Sequence, residues 1–224
     1  MIQDEGVVGK AVGAMIRRAV RKNFKAVYWE PPLQTLAHPT ILFANHHGWY
    51  DGYLMYHVAH ALNLRCLDWI EEFDTFPLFR YVGGLPYPKD DASRRAATIR
   101  QTVRSLEGGS RSLVIFPDQP LHYPPEIGPM ARSLEFLARK VPAARLVPVA
   151  INYEFAMHER AEAFIRIGSP IAHSTTLLTD CRNHLVDLLE ETRRLVRVGH
   201  DFQLLVRGTD SINERWDMRR IKRK

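Results

Sequence analysis

Residues 45–52 read Asn45-His46-His47-Gly48-Trp49-Tyr50-Asp51-Gly52. His46 and Asp51 are separated by four residues across a glycine-containing turn. An imidazole and a carboxylate at that spacing can form a base and its orienter. The carboxylate on one ring nitrogen fixes the tautomer and stabilises the imidazolium that forms when the other nitrogen takes a proton. Such a pair serves acyl transfer without an enzyme nucleophile. Two other readings fit the same residues. Asp51 can simply cap a helix beside a partly exposed histidine. His-His-x-x-x-Asp can also contribute to a metal site, but such a site needs three or more ligands from defined positions. The chain has no Cys cluster, no second His-rich motif and no His-x-His-x-Asp-His pattern, so no metal is expected.

For the pair to meet, a strand must deliver His46 and a helix must deliver Asp51. Residues 40–44 (TILFA) form a short apolar run of strand type, and residues 50–62 read as a helix. In α/β folds the C-terminal ends of strands are where sites are built. Further strands are predicted at 67–71, 112–116, 146–152 and 163–168, and helices at 93–106, 131–140 and 180–198. Strands separated by helices predict one α/β domain with a mixed, largely parallel sheet flanked by helices.

An amphipathic helix is predicted ahead of this body, over residues 7–27. Val8, Val12, Ile16, Val20 and Phe24 recur at four-residue steps, and with Met15 and Ala19 they form the apolar face. Lys10, Arg17, Arg18, Arg21, Lys22 and Lys25 occupy the other half. Glu30-Pro31-Pro32 breaks the helix. Such a helix either packs on its own domain or lies in a membrane interface, and it can do both beside a site mouth.

The chain of 224 residues carries a formal net charge of +6, concentrated at its ends. Residues 1–25 hold six Lys/Arg against two acids, and residues 215–224 hold six against one. The intervening body is net −3. A nucleic-acid partner is not expected, because its recognition surface would be basic within the folded body. An anionic membrane surface fits basic ends better. Cys66 and Cys181 are the only cysteines and suggest no disulfide framework. No apolar stretch is long enough to span a bilayer, and no secretory signal pattern is present.

Asn45-His46 with Asp51 resembles the first motif of the glycerolipid acyltransferases, and three more segments follow in the family's order. Gly83-Gly84-Leu85-Pro86-Tyr87-Pro88-Lys89 resembles the second motif, a glycine followed six residues later by a basic residue. Ile115-Phe116-Pro117-Asp118 resembles the third, Phe-Pro-Glu-Gly. Val147-Pro148-Val149-Ala150-Ile151 matches the fourth, and Gly168-Ser169-Pro170-Ile171 is similar to the Gly-x-Pro-Ile that commonly follows.

The resemblance implies an O-acyltransferase that needs no metal or organic cofactor. His46 would take the proton from an acceptor hydroxyl, and Asp51 would orient it. That hydroxyl would attack an acyl-CoA or acyl-ACP thioester. Lys89, beside Gly83, would bind an acceptor phosphate. Asp118, after Pro117, would replace the family's acceptor-contacting glutamate. Pro148 would shape the pocket wall. Trp49 and Tyr50, inside the first motif, either line an acyl or acceptor channel or pack in the core. Residues 1–30 would be a membrane-associating helix, 31–208 the acyltransferase domain and 209–224 a basic tail. The protein would sit on the cytoplasmic inner face of a membrane, acting on a lysophospholipid, glycerol phosphate or another lipid or glycolipid acceptor.

The chain departs from the pattern in three places. Lys89 stands where the family more often has Arg, so the bidentate fork is lost. The third motif reads Phe-Pro-Asp-Gln, with Gln119 where the family has Gly. Pro120-Leu121-His122 replaces a common Thr-Arg-Ser, so the anion-binding Arg is missing. The base–orienter pair is intact while the acceptor-phosphate site is altered. The alternative to an enzyme is a catalytically impaired member of the fold that binds lipid or a partner.

Overall fold

The structure, a computed structural model, describes residues 6–118 and 120–216. Gln119 and residues 217–224, the end of the expected basic tail, lie outside them. Eight strands form one sheet: β1 (Phe24–Glu30), β2 (Thr40–Ala44), β3 (Cys66–Ile70), β4 (Gly84–Pro86), β5 (Ser112–Ile115), β6 (Arg145–Glu154), β7 (Ala161–Ile167) and β8 (Gln203–Arg207). The spatial order is β4-β3-β5-β2-β6-β7-β1-β8. The β6–β7 and β1–β8 pairings are antiparallel and the other five are parallel. The helices are α1 (Val7–Asn23), α2 (Asp51–Ala61), α3 (Ala92–Glu107), α4 (Arg132–Lys140), α5 (Leu177–Arg197) and the short α6 (Ile212–Arg215).

The sheet divides the core in two. Leu42 and Ala44 of β2, with Val147, Val149 and Ile151 of β6, face α1 and α2. Ile41 and Phe43, with Leu113 and Ile115 of β5, face α3, α4 and α5. Both sets are apolar because both sides of a parallel sheet are covered. β2 is therefore buried over its whole length. Its neighbours are β5 on one side and β6 on the other. Chain direction across the sheet changes there, and crevices at such switch points hold ligands.

The largest correction concerns the N-terminus. The helix ends at Asn23, and Phe24–Glu30 is a strand rather than the last turn and an exit. The four-residue recurrence that includes Phe24 is a coincidence of register. FKAVYWE is rich in residues that suit a pleated surface, and it pairs with β7 and β8. Lys25 therefore leaves the cationic helix face and bridges Asp210 at 2.8 Å and Glu214 at 2.7 Å. Glu214 also closes a capping box on Ser211, so the start of the expected tail is anchored to β1. The strands β4 and β8 were not predicted. Three residues are too few to show alternation, and β8 carries apolar side chains on both faces.

α1 docks by a narrower stripe than expected. Val12, Ile16 and Val20 are buried, whereas Val8 and Met15 are exposed. Gly13 lets α1 approach α2, because a Cβ there would lie 2.4 Å from the Tyr56 hydroxyl oxygen. Lys10, Arg18, Arg21 and Lys22 are exposed, and Arg17 donates to the Tyr56 hydroxyl at 3.3 Å. Among the described residues, no helix is long and apolar enough to cross a membrane. Ile16→Asp would bury an unpaired carboxylate against the body, a cost of several kcal/mol. Thermal melts are expected to show a fall in Tm of several degrees for Ile16→Asp and almost none for Arg18→Gln; equal shifts would mean that α1 is not packed as described.

Candidate active site

Asn45 directly follows β2 and is fully buried. Its amide donates to the Ile151 carbonyl at 3.0 Å, and its Oδ1 accepts from the Ile151 N–H at 2.8 Å. This exchange continues the β2–β6 ladder by one side chain and fixes where the chain leaves the sheet. His46 follows, with its ring stacked on Phe116 at 4.6 Å between centroids. Its backbone N–H faces the Asp118 carboxylate at 3.4 Å. The strand-to-helix turn then brings Asp51 back, with its Oδ2 at 2.9 Å from His46 Nδ1.

Asp51 has no exposed surface. A buried carboxylate needs donors to offset its lost hydration. Gly48 N–H donates to Oδ2 at 2.8 Å, and the Tyr153 hydroxyl donates to Oδ1. Because Asp51 accepts from both, it presents only acceptor positions to His46, so Nδ1 carries the proton and Nε2 offers its lone pair. Nε2 has no hydrogen-bond partner among the described residues. Burial, then the neighbouring Asp51 charge, raises the Tyr153 phenol well above its ordinary value, so it stays a donor. Gly48 is required by space, since a Cβ would lie 2.6 Å from the Tyr153 hydroxyl oxygen.

His46 opens onto a cavity of about 410 Å³ between α2, the β3–β5 edge and α1. Phe116, Trp49, Tyr53 and Leu121 line it near the histidine, and Ile16, Met55, Ala59 and Leu64 line the rest. Asp68 of β3 lines it too. Its Oδ1 is buried without a hydrogen-bond partner among the described residues. Burial pushes this carboxyl from its ordinary 3.8 up to about 7, opposed by the His46 charge and the Trp69 backbone N–H. Cys66 also lines the cavity, but burial drives its thiol far above the range in which it could be a nucleophile.

The expected site residues divide clearly. His46 and Trp49 line the cavity, Asp51 lies behind His46, and Asp118 supports the His46 backbone. Gly83 takes a left-handed φ of 101° and accepts from the Asp68 N–H at 3.0 Å. It sets the β3–β4 edge but is not itself part of the wall. Pro117 ends β5 and accepts from the Ala131 N–H at 2.8 Å. Pro148 is a correction. It alternates with Val147 and Val149, so it faces away from the cavity, packed against the Gly168 position. Lys89 is exposed and does not line the cavity. Arg94 is engaged by Asp74 at 2.6 Å, and Arg95 donates to the carbonyls of Pro88 and Lys89.

His47, Asp118 and His122 form a group that the sequence spacing did not reveal, with ligand atoms within 4.8 Å of one another. Their hydrogen bonds do not suit a metal. The Asn45 amide is oriented by Ile151, so it donates to His47 Nδ1 at 3.0 Å. His47 Nε2 must then carry the proton, which it gives to the Glu126 carbonyl at 2.7 Å. Burial lowers the His47 pKa, in keeping with a neutral ring. Both nitrogens of His122 face carbonyl oxygens, Pro120 at 2.8 Å and Glu126 at 2.6 Å, so both donate. Burial works against that charge but is outweighed by the two carbonyls and Asp118, and the His122 pKa rises. The cluster is a hydrogen-bonded brace for the loop after β5. Its ring lone pairs are spoken for.

The acyltransferase family model matches residues 20–152, more than half of the chain. The chain belongs to the acyltransferase family. It is an acyltransferase with a fold shared by a solved structure, the 1-acyl-sn-glycerophosphate (LPA) acyltransferase PlsC from Thermotoga maritima. The two are 17% identical with a TM-score of 0.59, over 84% of this chain and 79% of that one. No curated protein matches the chain. The match runs from Val20 in α1 to Asn152 in β6 and stops just before Tyr153.

Four contributors to this acyltransferase's site were missed in the sequence: Tyr153, the Phe116 ring as a stacking surface, Asp68 and His122. Asp68 did leave a signal, a lone acid inside the apolar run of β3. The ionisation of Asp68 has a measurable consequence. The folded state retains a proton that the unfolded chain releases near pH 4, so stability falls as pH rises from there to about 7. Asp68→Asn removes that loss. Its Tm advantage over wild type is expected to widen between about pH 5 and about pH 8; a difference that stays constant would contradict the burial of this carboxyl.

Proposed function

We propose that this acyltransferase moves a fatty acyl group from an acyl-CoA or acyl-ACP thioester onto a hydroxyl of a lipid acceptor, such as a glycerolipid. The carrying observation is the 2.9 Å His46–Asp51 pair, with His46 on the wall of an acyl-sized cavity and its Nε2 without a hydrogen-bond partner among the described residues. His46 Nε2 removes the acceptor hydroxyl proton as the oxygen attacks the thioester carbonyl. The tetrahedral intermediate collapses with cleavage of the C–S bond. The leaving sulfur takes the proton back from His46 and departs as a free thiol. Asp51 holds the imidazolium between those steps, and Gly48 and Tyr153 hold Asp51. A thioester is already activated, so no covalent acyl-enzyme, metal or organic cofactor enters the scheme. The high pKa of the Cys66 thiol beside the cavity accords with direct transfer.

On this reading the mouth faces a membrane. Trp49 and Leu121 are exposed apolar side chains on its wall, and Leu78 and Tyr81 stand on the adjoining turn Pro77–Val82. Next to them α1 carries exposed Val7, Val8 and Met15 with Lys10, Arg18, Arg21 and Lys22. Apolar insertion beside cationic side chains suits an anionic interface. The protein would be peripheral, on the inner, cytoplasmic face where the thioester donors are made.

Thiol release from acyl-CoA in the presence of a total lipid extract tests the chemistry. His46→Ala is expected to lose at least about a hundredfold in turnover, the low end of general-base contributions. Tyr153→Phe, which removes one donor from Asp51, is expected to lose less, in kcat rather than KM. Near-wild-type release by His46→Ala would overturn the mechanism; no release by wild type would favour a non-catalytic lipid-binding role. Replacing Lys10, Arg18, Arg21 and Lys22 with Gln is expected to weaken co-sedimentation with phosphatidylglycerol vesicles at least about tenfold at low salt. Unchanged sedimentation would remove the membrane role assigned to α1.

A further inference from the structure

Acceptors with a phosphate beside the reacting hydroxyl call for fixed cations. Among the described residues that line the cavity, none is Lys or Arg. The ionisable side chains there include His46, His60 and three acids, Asp68, Glu71 and Glu72. Neither glutamate makes an ion pair among the described residues, and Lys89 lies off the wall. A site walled in this way raises the local concentration of cations and repels phosphate.

Asp68 gives the preference a definite place. It pairs with Val114 of β5, two residues before the Phe116 ring that carries His46. Its Oδ2 lies across from Gly52, where an added Cβ would be 3.7 Å away. The carboxyl thus stands one layer beneath the base, beside the first turn of α2. Its Oδ1 is out of solvent and has no hydrogen-bond partner among the described residues, in a wall otherwise dominated by apolar side chains. Native structures seldom leave a buried polar oxygen without a partner.

Resting on the acyl-transfer reading, we infer that Asp68 is a specificity-determining residue that receives a hydrogen bond from an acceptor's second polar group, a hydroxyl or an ammonium, and that the acceptor carries no phosphate next to its reacting hydroxyl. Desolvation favours this match, because the bonded donor replaces the water that the carboxyl lost. A phosphate at the same place would put like charges together with no cation to offset them.

The full chain is assayed with one acyl-CoA and three chain-matched lipids: lysophosphatidic acid, monoacylglycerol and sphinganine. Wild type is expected to show a kcat/KM for monoacylglycerol or sphinganine at least about tenfold above that for lysophosphatidic acid. If sphinganine is the better of the two, the ammonium is the donor; if monoacylglycerol, the hydroxyl. Asp68→Leu is expected to lower the preferred-to-phosphate ratio at least about tenfold. Asp68→Asn, isosteric and free of the buried charge, carries the same test if Asp68→Leu does not fold; it should selectively weaken an ammonium acceptor. Ligand-induced shifts in Tm for the same lipids read the preference without turnover. A lysophosphatidic acid rate equal to or above the others, or a ratio unchanged in the folded variants, would overturn the inference while leaving acyl transfer intact. Absence of thiol release with every acceptor would instead overturn the acyl-transfer reading, and the Tm shifts would then decide the preference on binding alone.

Discussion

Asp51 is a carboxylate with no exposed surface, and the geometry of the site follows from how it is kept charged. Three donors surround it: the Gly48 backbone, the Tyr153 hydroxyl and His46 Nδ1. Each comes from a different structural device. Gly48 belongs to the turn between β2 and α2 and must lack a side chain to make room. Tyr153 stands at the C-terminal end of β6. His46 is the second residue past β2, aimed by the Asn45–Ile151 exchange. Removing any one would leave a buried charge short of a donor, a costly state. The dyad therefore depends on the β2–β6 pairing and on the turn from β2 into α2.

The same arrangement explains the division of labour across the sheet. β6 supplies the support for Asp51 on one side of β2. β5 and β3, on the other side, supply Phe116 under the histidine and Asp68 in the cavity wall. α1 and α2 roof this side, so the N-terminal helix both closes the cavity through Ile16 and presents its cations outward. One face of α1 is packed on the body and the other carries exposed cations.

Much of the site could be read from the chain because its parts are local. His46 and Asp51 share one turn, and the buried strand β2 before them is a continuous apolar run. Asp118 was legible by its place after another such run. Tyr153 was not, because its partner lies 102 residues away and only the β2–β6 register brings them together. His122 and His47 meet for a similar reason, through a loop that strand periodicity does not constrain. Phe24 and Lys25 were misplaced because helical spacing continued into residues whose pairing with β7 and β8 prevailed. Pro148 was placed in the wall by motif alone, and strand alternation turned it to the other face. The charge at the chain ends was also redistributed by the fold. Lys25 is consumed in an internal bridge, while four exposed cations remain on α1.

Asp51 holds His46 with its proton on Nδ1 and its lone pair on Nε2. Nitrogen NMR of the chain labelled at histidine reads this directly at a pH where the ring is neutral. Wild type should show His46 as the Nδ1–H tautomer, with that preference lost in Asp51→Asn. A His46 signal of the Nε2–H tautomer in wild type, or one unmoved by the substitution, would contradict the account.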